Sequence, residues 1–148
     1  MNKKLFVDSD IILDVLAQRD MYYESAAEIF DLGYAKKLDL YTTAVVFANV
    51  FYIIRKKFGM EKSREYIKNL RLIIKVLPIN EKIVDEALSS KISDFEDGLQ
   101  YFSAKENRIP IILTRNIKDY KEKGIIAQTA EEFLKIHSNR GPDADKNN

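Results

Sequence analysis

The chain has 148 residues, 46% of them hydrophobic and 32% charged, with a formal net charge of +1, which is typical of one soluble globular domain. It contains no Cys and one His, which excludes disulfides, thiolate metal sites and zinc sites built on several imidazoles. Any chemistry must therefore come mostly from carboxylates, amides, hydroxyls and basic side chains. The oxygen donors among these groups favour Mg²⁺ or Mn²⁺ over zinc or copper.

Short apolar runs alternate along the chain with segments of helical periodicity. The predicted strands are residues 5–7, 38–41, 73–77, 109–113 and 125–127. The first predicted helix directly follows residue 8. Further helices are predicted at residues 23–37, 42–58, 60–72, 81–90, 94–107 and 129–137, with a short helix or turn at 116–123. Because the strands are continuously apolar, both sheet faces are expected to be covered, which predicts an α/β fold with a parallel sheet. We expect one domain over residues 1–137 and a polar, disordered tail at 138–148.

Two segments of the chain carry opposite charge. Residues 8–31 hold seven acidic and one basic side chain, whereas residues 55–75 hold eight basic and two acidic ones. Solvated helix faces are the simpler explanation, although an acidic metal centre beside a basic surface for a polyanion gives the same pattern. No signal peptide is evident, and the longest nearly apolar stretch, residues 44–54, is too short to span a bilayer. We therefore expect a cytoplasmic protein without membrane contact.

Polar side chains follow two of the predicted strands at the point where each strand ends. They are Asp8, Ser9 and Asp10 after the first strand, and Thr114, Asn116 and Asp119 after the fourth. Because ligands of parallel α/β sheets bind beyond the carboxyl ends of the strands, two acidic strand ends at one edge indicate a site. Asp8 also fits the cap of the next helix, and Asp14 fits either a ligand or a solvated helix residue.

Two further polar positions are candidates for the same site. Asn49 is the only strongly polar side chain in residues 44–54, so it is either a hydrogen-bonded core amide or faces a polar cavity. Asp94, Glu96 and Asp97 crowd the first turn of a predicted helix, where the helix dipole alone favours acids. Converging carboxylates repel each other unless a cation neutralises them. Such a set without His or Cys suits a divalent-metal hydrolase that acts on phosphodiesters.

Four segments in this order resemble motifs of the PIN domain family, the nuclease fold of many bacterial toxin–antitoxin toxins of the VapC kind. They are residues 6–14, 42–52, 94–100 and 113–120, and the resemblance extends over residues 5–137. It implies a three-layer fold with a parallel sheet of four or five strands, a Mg²⁺- or Mn²⁺-dependent ribonuclease, a small antitoxin partner and a homodimer.

The resemblance also implies roles for individual residues. It assigns catalysis and metal binding to Asp8, Asp97 and Asp119, a further metal contact to Asp94, and supporting roles to Ser9, Asp10, Asn49, Glu96, Thr114 and Asn116. Asn49 stands where the family usually has Glu, which places the chain in a subgroup with an amide at this position. Glu96 or Asp94 could compensate for the missing charge.

Three hypotheses therefore remain open from the sequence. The leading one is a toxin-like, metal-dependent endoribonuclease whose candidate RNA contacts are Arg55, Lys56, Lys57 and Arg115. The second, motivated by Asn49, is a PIN-like module that binds RNA or a protein without cutting. The third is an α/β phosphohydrolase that uses Asp8 as a nucleophile, since Asp8 and Asp10 follow a strand in the spacing of aspartyl phosphotransfer.

Overall fold

The computed structural model describes residues 1–120 and 124–139 of the chain. Its strands are β1 (Lys3–Val7), β2 (Leu38–Thr43), β3 (Ile74–Leu77), β4 (Ile111–Leu113) and β5 (Ile126–Gln128). Its α-helices are α1 (Ser9–Leu16), α2 (Asp20–Tyr34), α3 (Ala44–Phe58), α4 (Met60–Ile73), α5 (Glu81–Ser89), α6 (Phe95–Glu106) and α7 (Ala130–Asn139). The five strands form one sheet in the order β3-β2-β1-β4-β5, and every neighbouring pair is parallel. The predicted α/β class and parallel sheet are confirmed.

Several element boundaries differ from the predicted ones by a few residues. The helix α2 begins at Asp20 rather than at residue 23, and α4 continues through Ile73, so β3 starts one residue late. The strand predicted at 109–113 pairs only from Ile111, because the Ile109 N–H donates to the end of α6 at Ala104 and Pro110 has no N–H.

The carboxyl-terminal predictions are met only in part. A 3₁₀ turn at Ile117–Asp119 occupies the start of the segment predicted as a helix or turn at 116–123, and residues 121–123 lie outside the described residues. The helix α7 extends through Asn139, past the predicted end of the domain, and residues 140–148 of the predicted tail also lie outside the described residues.

The sheet lies between two hydrophobic cores, which gives three layers. Leu5 and Val7 of β1 pack into the core formed with α1, α2, α3, α4 and α7, whereas Phe6 between them packs into the core under α5 and α6. Successive strand residues point to opposite faces, so a central strand covered on both faces must be apolar throughout. Gly33 allows α2 to approach the sheet, since a Cβ there would lie 2.6 Å from Leu40 Cδ1.

Hydrogen bonds fix the carboxyl ends of four strands, β1, β2, β4 and β5, against one another. The Asp8 N–H donates to Leu113 O at 3.0 Å, Thr42 Oγ1 donates to Val7 O at 2.9 Å, and the Thr114 N–H donates to Gln128 O at 2.9 Å. The residues after β1 and β4 therefore meet at one edge of the sheet, as the sequence predicts. Among the residues that the structure describes, no helix is both long and apolar enough to cross a membrane.

Candidate functional site

Asp8 lies at the centre of the polar residues at this edge. It caps α1 and is only 4% exposed. Its Oδ1 accepts the Ser9 N–H at 2.7 Å and contacts Ser9 Oγ at 3.3 Å, while its Oδ2 accepts from Thr114 Oγ1 at 2.8 Å. Burial raises the pKa of Asp8, and these hydrogen bonds act against the rise. The two roles considered for Asp8 from the sequence, helix cap and site residue, are therefore compatible. One oxygen of its carboxylate caps α1, and the other contacts Thr114 at the site.

The hydroxyl of Tyr120 joins Asp8 to the first turn of α6. It lies 3.4 Å from Asp8 Oδ2, 3.2 Å from Asp97 Oδ1 and 3.5 Å from Gln100 Oε1. Burial, followed by the charges of Asp8 and Asp97, raises the pKa of Tyr120, so the phenol keeps its proton. One hydroxyl proton serves a single acceptor at a time, so three oxygen acceptors share one donor. This part of the site therefore has more acceptor oxygens, two of them on carboxylates, than the hydroxyl of Tyr120 can satisfy.

Asp97 carries the clearest electrostatic signature of the site. Burial, together with the charges of Asp8 and Asp94, raises its pKa to about 7. Asp94 caps α6 by accepting the Asp97 N–H at 2.9 Å, which holds the two acids close together. Asp119 is exposed on its 3₁₀ turn, and its charge contributes to the raised pKa of Asp97. It stands at the margin of the group that Asp8 and Asp97 form.

Asn49 faces this acidic group through Glu96. Its Nδ2 donates to Glu96 Oε2 at 2.7 Å, and Gln100 Nε2 lies 3.4 Å from Glu96 Oε1. Burial raises the pKa of Glu96, and the charges of Asp8 and Asp94 add to it. The helix α3 is not buried all round as its apolar sequence predicts, since it buries only Val46, Val50 and Ile54. Asn49 is accordingly half-buried at the border of the site and is not a core amide.

Asp10 attaches the loop after β4 to the start of α1. Its Oδ2 accepts the Arg115 N–H at 2.9 Å and lies 3.4 Å from Thr114 Oγ1, which in turn accepts the Asn116 N–H at 3.1 Å. Burial, with the charge of Asp8, raises the pKa of Asp10 to about 6. Asn116 is exposed. Asp10 therefore orders the loop that presents Thr114 to Asp8.

Asp14 lies one helical turn beyond Asp10 on α1, and its charged partners are arginines. It is fully buried, and its Oδ1 lies 3.2 Å from Arg115 Nη2 and 3.7 Å from Arg19 Nη1. The Arg115 guanidinium also stacks on the ring of Tyr22, with its Cζ 4.1 Å from the ring centre. Asp14 is therefore neither a solvated helix residue nor a member of the Asp8–Asp97 group. Arg115, a candidate RNA contact, is already paired in this arrangement.

The other candidate RNA contacts lie at the far end of α3. Arg55 and Lys56 flank the ring of Tyr52, and Lys57 packs over Phe58. Arg55 lies six residues beyond Asn49, which corresponds to about 9 Å along the helix axis. The structure therefore separates these basic residues from Asn49, at the border of the site, by nearly two turns of α3.

Two residues in the site were missed by the sequence predictions. Gln100 is 1% exposed and Tyr120 is 5% exposed, and both contact the acids directly. Gln100 had a detectable signal, because it is a single amide in the apolar stretch of α6 and follows Glu96 by one helical turn. Tyr120 had none beyond its place after Asp119, because a single tyrosine in a polar segment does not indicate where its hydroxyl lies.

The donor set fits a hard divalent cation held by few protein ligands. Asp8 and Asp97 bring carboxylates to a shared hydroxyl, and no ion pair compensates either of them among the described residues. In residues 1–120 and 124–139, no three His, Cys, Asp or Glu side chains converge closely enough to hold a metal by themselves. Mg²⁺ commonly uses only one or two protein carboxylates and completes its shell with water and substrate phosphate. The arrangement is that of a two-carboxylate site with neighbouring acids.

Fold and site together define a class of protein: a parallel α/β domain with acidic side chains clustered at the carboxyl edge of its sheet. The PIN domain family profile matches residues 4–118, and this chain belongs to that family. It is 28% identical over 137 residues to Ribonuclease VapC1 of Aquifex aeolicus (strain VF5), an alignment that covers 89% of this chain and 94% of the relative.

Solved structures share the fold at low sequence identity. VapBC2 from Rickettsia felis, solved bound to a DNA fragment from its promoter, superposes with a TM-score of 0.64 at 16% identity, covering 85% of this chain and 98% of that one. Mycobacterium tuberculosis VapC20, described as a Sarcin-Ricin loop cleaving toxin, gives 0.62 at 13% identity, covering 82% and 98%. The PIN-like fold expected from the sequence is thereby confirmed.

Proposed function

We propose that this chain is a divalent-metal-dependent endoribonuclease that hydrolyses RNA phosphodiesters, and that it acts as the toxin of a toxin–antitoxin pair. The observation that carries the proposal is the convergence of Asp8 and Asp97 on the hydroxyl of Tyr120 without a compensating cation among the described residues. The similarity to Ribonuclease VapC1 over nearly the full length of both chains supports RNA as the substrate.

In this proposal Asp8 and Asp97 hold Mg²⁺ or Mn²⁺, and Asp94 and Asp119 add negative charge around it. A bound divalent cation would lower the pKa of a water molecule and offset the charge of the phosphate. Ser9 and Thr114 orient the Asp8 carboxylate through hydrogen bonds of 2.7 and 2.8 Å, one to each of its oxygens. Tyr120 keeps the two carboxylates at a fixed separation.

The Asn at position 49 is consistent with an active site because Glu96 lies beside it. The two side chains contact each other at 2.7 Å, so this corner keeps one carboxylate although α3 supplies none. A Glu at position 49 would set two carboxylates at that distance and would need further neutralisation. We therefore propose that Glu96 supplies the charge that the family usually takes from the second motif.

The proposal includes a protein partner and a second copy of the chain. The VapBC complexes among the structural neighbours support a small antitoxin as a partner. Large apolar side chains on the surface, such as Ile53 at 47% and Met60 at 57% exposure, are available to the contact of a homodimer. Light scattering on the purified chain tests the homodimer, and the same measurement after addition of a candidate antitoxin tests the partner.

Cleavage of a mixed RNA pool tests the central claim. The purified chain is assayed with Mn²⁺, with EDTA, and as the Asp8→Asn variant prepared in parallel. Asp31→Asn is the matched control, because Asp31 is an exposed acid on α2 away from the site. We expect cleavage by wild type and Asp31→Asn with Mn²⁺ only, and loss of at least two orders of magnitude in Asp8→Asn. Equal cleavage by Asp8→Asn would refute the assignment.

A non-catalytic binding module is the second candidate. It is favoured by the absence of a three-acid cluster within the described residues and by a tyrosine hydroxyl that already bridges Asp8 and Asp97. Thermal stabilisation by Mn²⁺ separates the two, since an intact site is stabilised by mass action and a degenerate one is not. Use of Asp8 as a nucleophile is less favoured, because both of its oxygens accept hydrogen bonds inside a buried cap.

A further inference from the structure

The exposed side of α3 leads from the acidic site to the basic end of the same helix. Val46, Val50 and Ile54 form its buried side. Tyr52 lies on the opposite side, and half-buried Asn49, three residues before it, lies at the edge of that side, about 5 Å back along the axis. Tyr52 is 53% exposed although it is a large aromatic residue. At one end of this side Asn49 contacts Glu96 of the site, and one turn further along the helix the ring of Tyr52 is open to solvent.

Two cations flank the Tyr52 ring. Arg55 Cζ lies 4.7 Å and Lys56 Nζ 4.9 Å from the ring centre. Neither forms an ion pair with any residue that the structure describes, and both are exposed. The segment that follows, residues 55–75, holds eight basic and two acidic residues, so the positive potential extends beyond the ring. Arg55 and Lys56 contact the Tyr52 ring from the same helix, but no acidic side chain among the described residues neutralises their charges.

An exposed ring that two unpaired cations contact suits one nucleic-acid form in particular. Single-stranded nucleic acid binds by stacking bases on aromatic rings while basic side chains contact the backbone. In a duplex the base faces are covered by neighbouring bases, and duplex RNA is bound mainly through its backbone and shape. A protein partner with acidic side chains could pair with Arg55 and Lys56 but would gain little from an open ring beside them.

We propose that Tyr52, with Arg55 and Lys56, is a stacking site for an unpaired nucleotide that flanks the cleaved phosphodiester. The inference rests on the proposed ribonuclease function and adds to it a base-contacting surface on α3. A strand whose phosphate lies at Asp8 and Asp97 passes Asn49 at the border of the site, and Tyr52 is the next exposed ring along α3. Selectivity for unpaired RNA then comes from a surface outside the acidic group.

Binding in the absence of cleavage tests this site. The Asp8→Asn chain in EDTA is titrated with a fluorescein-labelled oligouridine single strand and with a duplex RNA of equal length, so that neither metal nor turnover enters. Tyr52→Ala is compared with Tyr52→Phe, which keeps the ring. Tyr34→Ala is the matched control, because Tyr34 is 76% exposed at the end of α2.

We expect Tyr52→Ala to weaken single-strand binding between about fivefold and a hundredfold, the range for one stacked base. Tyr52→Phe and Tyr34→Ala should stay within about twofold of the parent, since a phenyl ring still stacks. Substituting Arg55 and Lys56 by Ala should reduce the slope of log Kd against log salt by about 0.7 for each phosphate that the chain no longer neutralises. Duplex binding should change little in Tyr52→Ala.

Several results would overturn the inference. Unchanged single-strand binding in Tyr52→Ala would do so, as would an equal loss for single strand and duplex. A loss that follows a change in oligomeric state, seen by light scattering, would assign Tyr52 to a subunit interface instead. Cleavage by wild type with Mn²⁺ is scored separately. If it occurs while Tyr52 is without effect, only the stacking site fails. If binding depends on Tyr52 but no cleavage occurs, only the nuclease function fails.

Discussion

Two buried aspartates near the helix α1 are handled in opposite ways. Asp8, at 4% exposure, is surrounded by hydroxyls, backbone N–H groups and further acids, and no ion pair reaches it from the described residues. Asp14, at 0% exposure, lies between the guanidinium groups of Arg115 and Arg19. Burial raises the pKa of both, but arginine charges counteract the rise only at Asp14.

The difference separates an aspartate that the protein neutralises itself from one that has no cationic partner among the described residues. A buried carboxylate is tolerated when it is paired, and Asp14 has its cations within the chain. The group around Asp8 lacks them, so it must take up protons or an external cation to become neutral. The proposed metal is that external cation. The following experiments test whether the two aspartates really differ in this way.

Removing Asp14 should have the largest effect on stability. Asp14→Ala leaves Arg115 and Arg19 without their shared partner, and breaking a buried ion pair typically costs about 3 kcal/mol or more. Because Arg19 is 40% and Arg115 28% exposed, water can solvate them in part, and we expect about 2–3 kcal/mol. Urea unfolding with EDTA measures the loss. Asp31→Ala, an exposed control on α2, should stay within about 0.5 kcal/mol of wild type. A similar value for Asp14→Ala would abolish the contrast.

Removing the charge of Asp8 should instead cost the protein its response to metal. At a Mn²⁺ concentration of about 100 times Kd, wild type should gain about 2.7 kcal/mol of stability by mass action. Asp8→Asn should gain almost none of this, while its stability in EDTA equals or exceeds that of wild type because repulsion with Asp97 is relieved. Thermal unfolding with and without Mn²⁺ measures both. Full Mn²⁺ stabilisation of Asp8→Asn would place the metal elsewhere.

The pH dependence of stability should carry the same signature. The pKa of Asp97 is raised to about 7 and that of Asp10 to about 6, against an ordinary value of 3.8. A pKa raised by folding means that the folded chain binds more protons, so the contribution of these groups is complete below about pH 4 and is lost as the pH rises to about 7. In EDTA the Tm should therefore fall across this interval. Mn²⁺ should reduce or reverse the fall, because the cation competes with protons for the same oxygens.

The sequence indicates which acids approach one another, because strand ends and helix starts are local features. Asp8 and Thr114 follow strands that pair in parallel, so their meeting at 2.8 Å follows from the topology. Asp97 lies in the first turn of α6, at the same edge. Asn49 and Glu96 contact each other as two candidates for one corner of the site. Pattern and capping thus determine much of the acidic group.

What the sequence does not indicate depends on long-range geometry. The partners of Asp14 come from the segment before α2 and from the loop after β4, and nothing in its local pattern distinguishes an ion pair from a solvated position. Tyr120 ends the 3₁₀ turn at Ile117–Asp119, and its hydroxyl reaches Asp97 from there, across 23 residues of sequence. The apolar composition of α3 predicts full burial, whereas packing covers one side of it and leaves Tyr52 open. Such features follow from how elements pack and not from their composition.

The smallest effect should come from the hydroxyl of Tyr120, the one donor shared by the unpaired acids. Tyr120→Phe removes a hydrogen bond to Asp8 or Asp97 and should cost about 1 kcal/mol in EDTA. That hydrogen bond lowers the pKa of Asp97, so its loss should shift the pH-dependent fall in Tm to higher pH. Tyr34→Phe, on the exposed end of α2, is the control and should change neither quantity.

The same variant also tests what neutralises the acidic group. If a cation takes over the role of the shared hydroxyl, the cost of Tyr120→Phe should shrink when Mn²⁺ is present, because the bound ion then holds the two carboxylates together. An unchanged cost in Mn²⁺ would mean that Tyr120 serves the fold irrespective of metal. Asp8 and Asp97 would then be paired by the protein itself, as Asp14 is by its arginines.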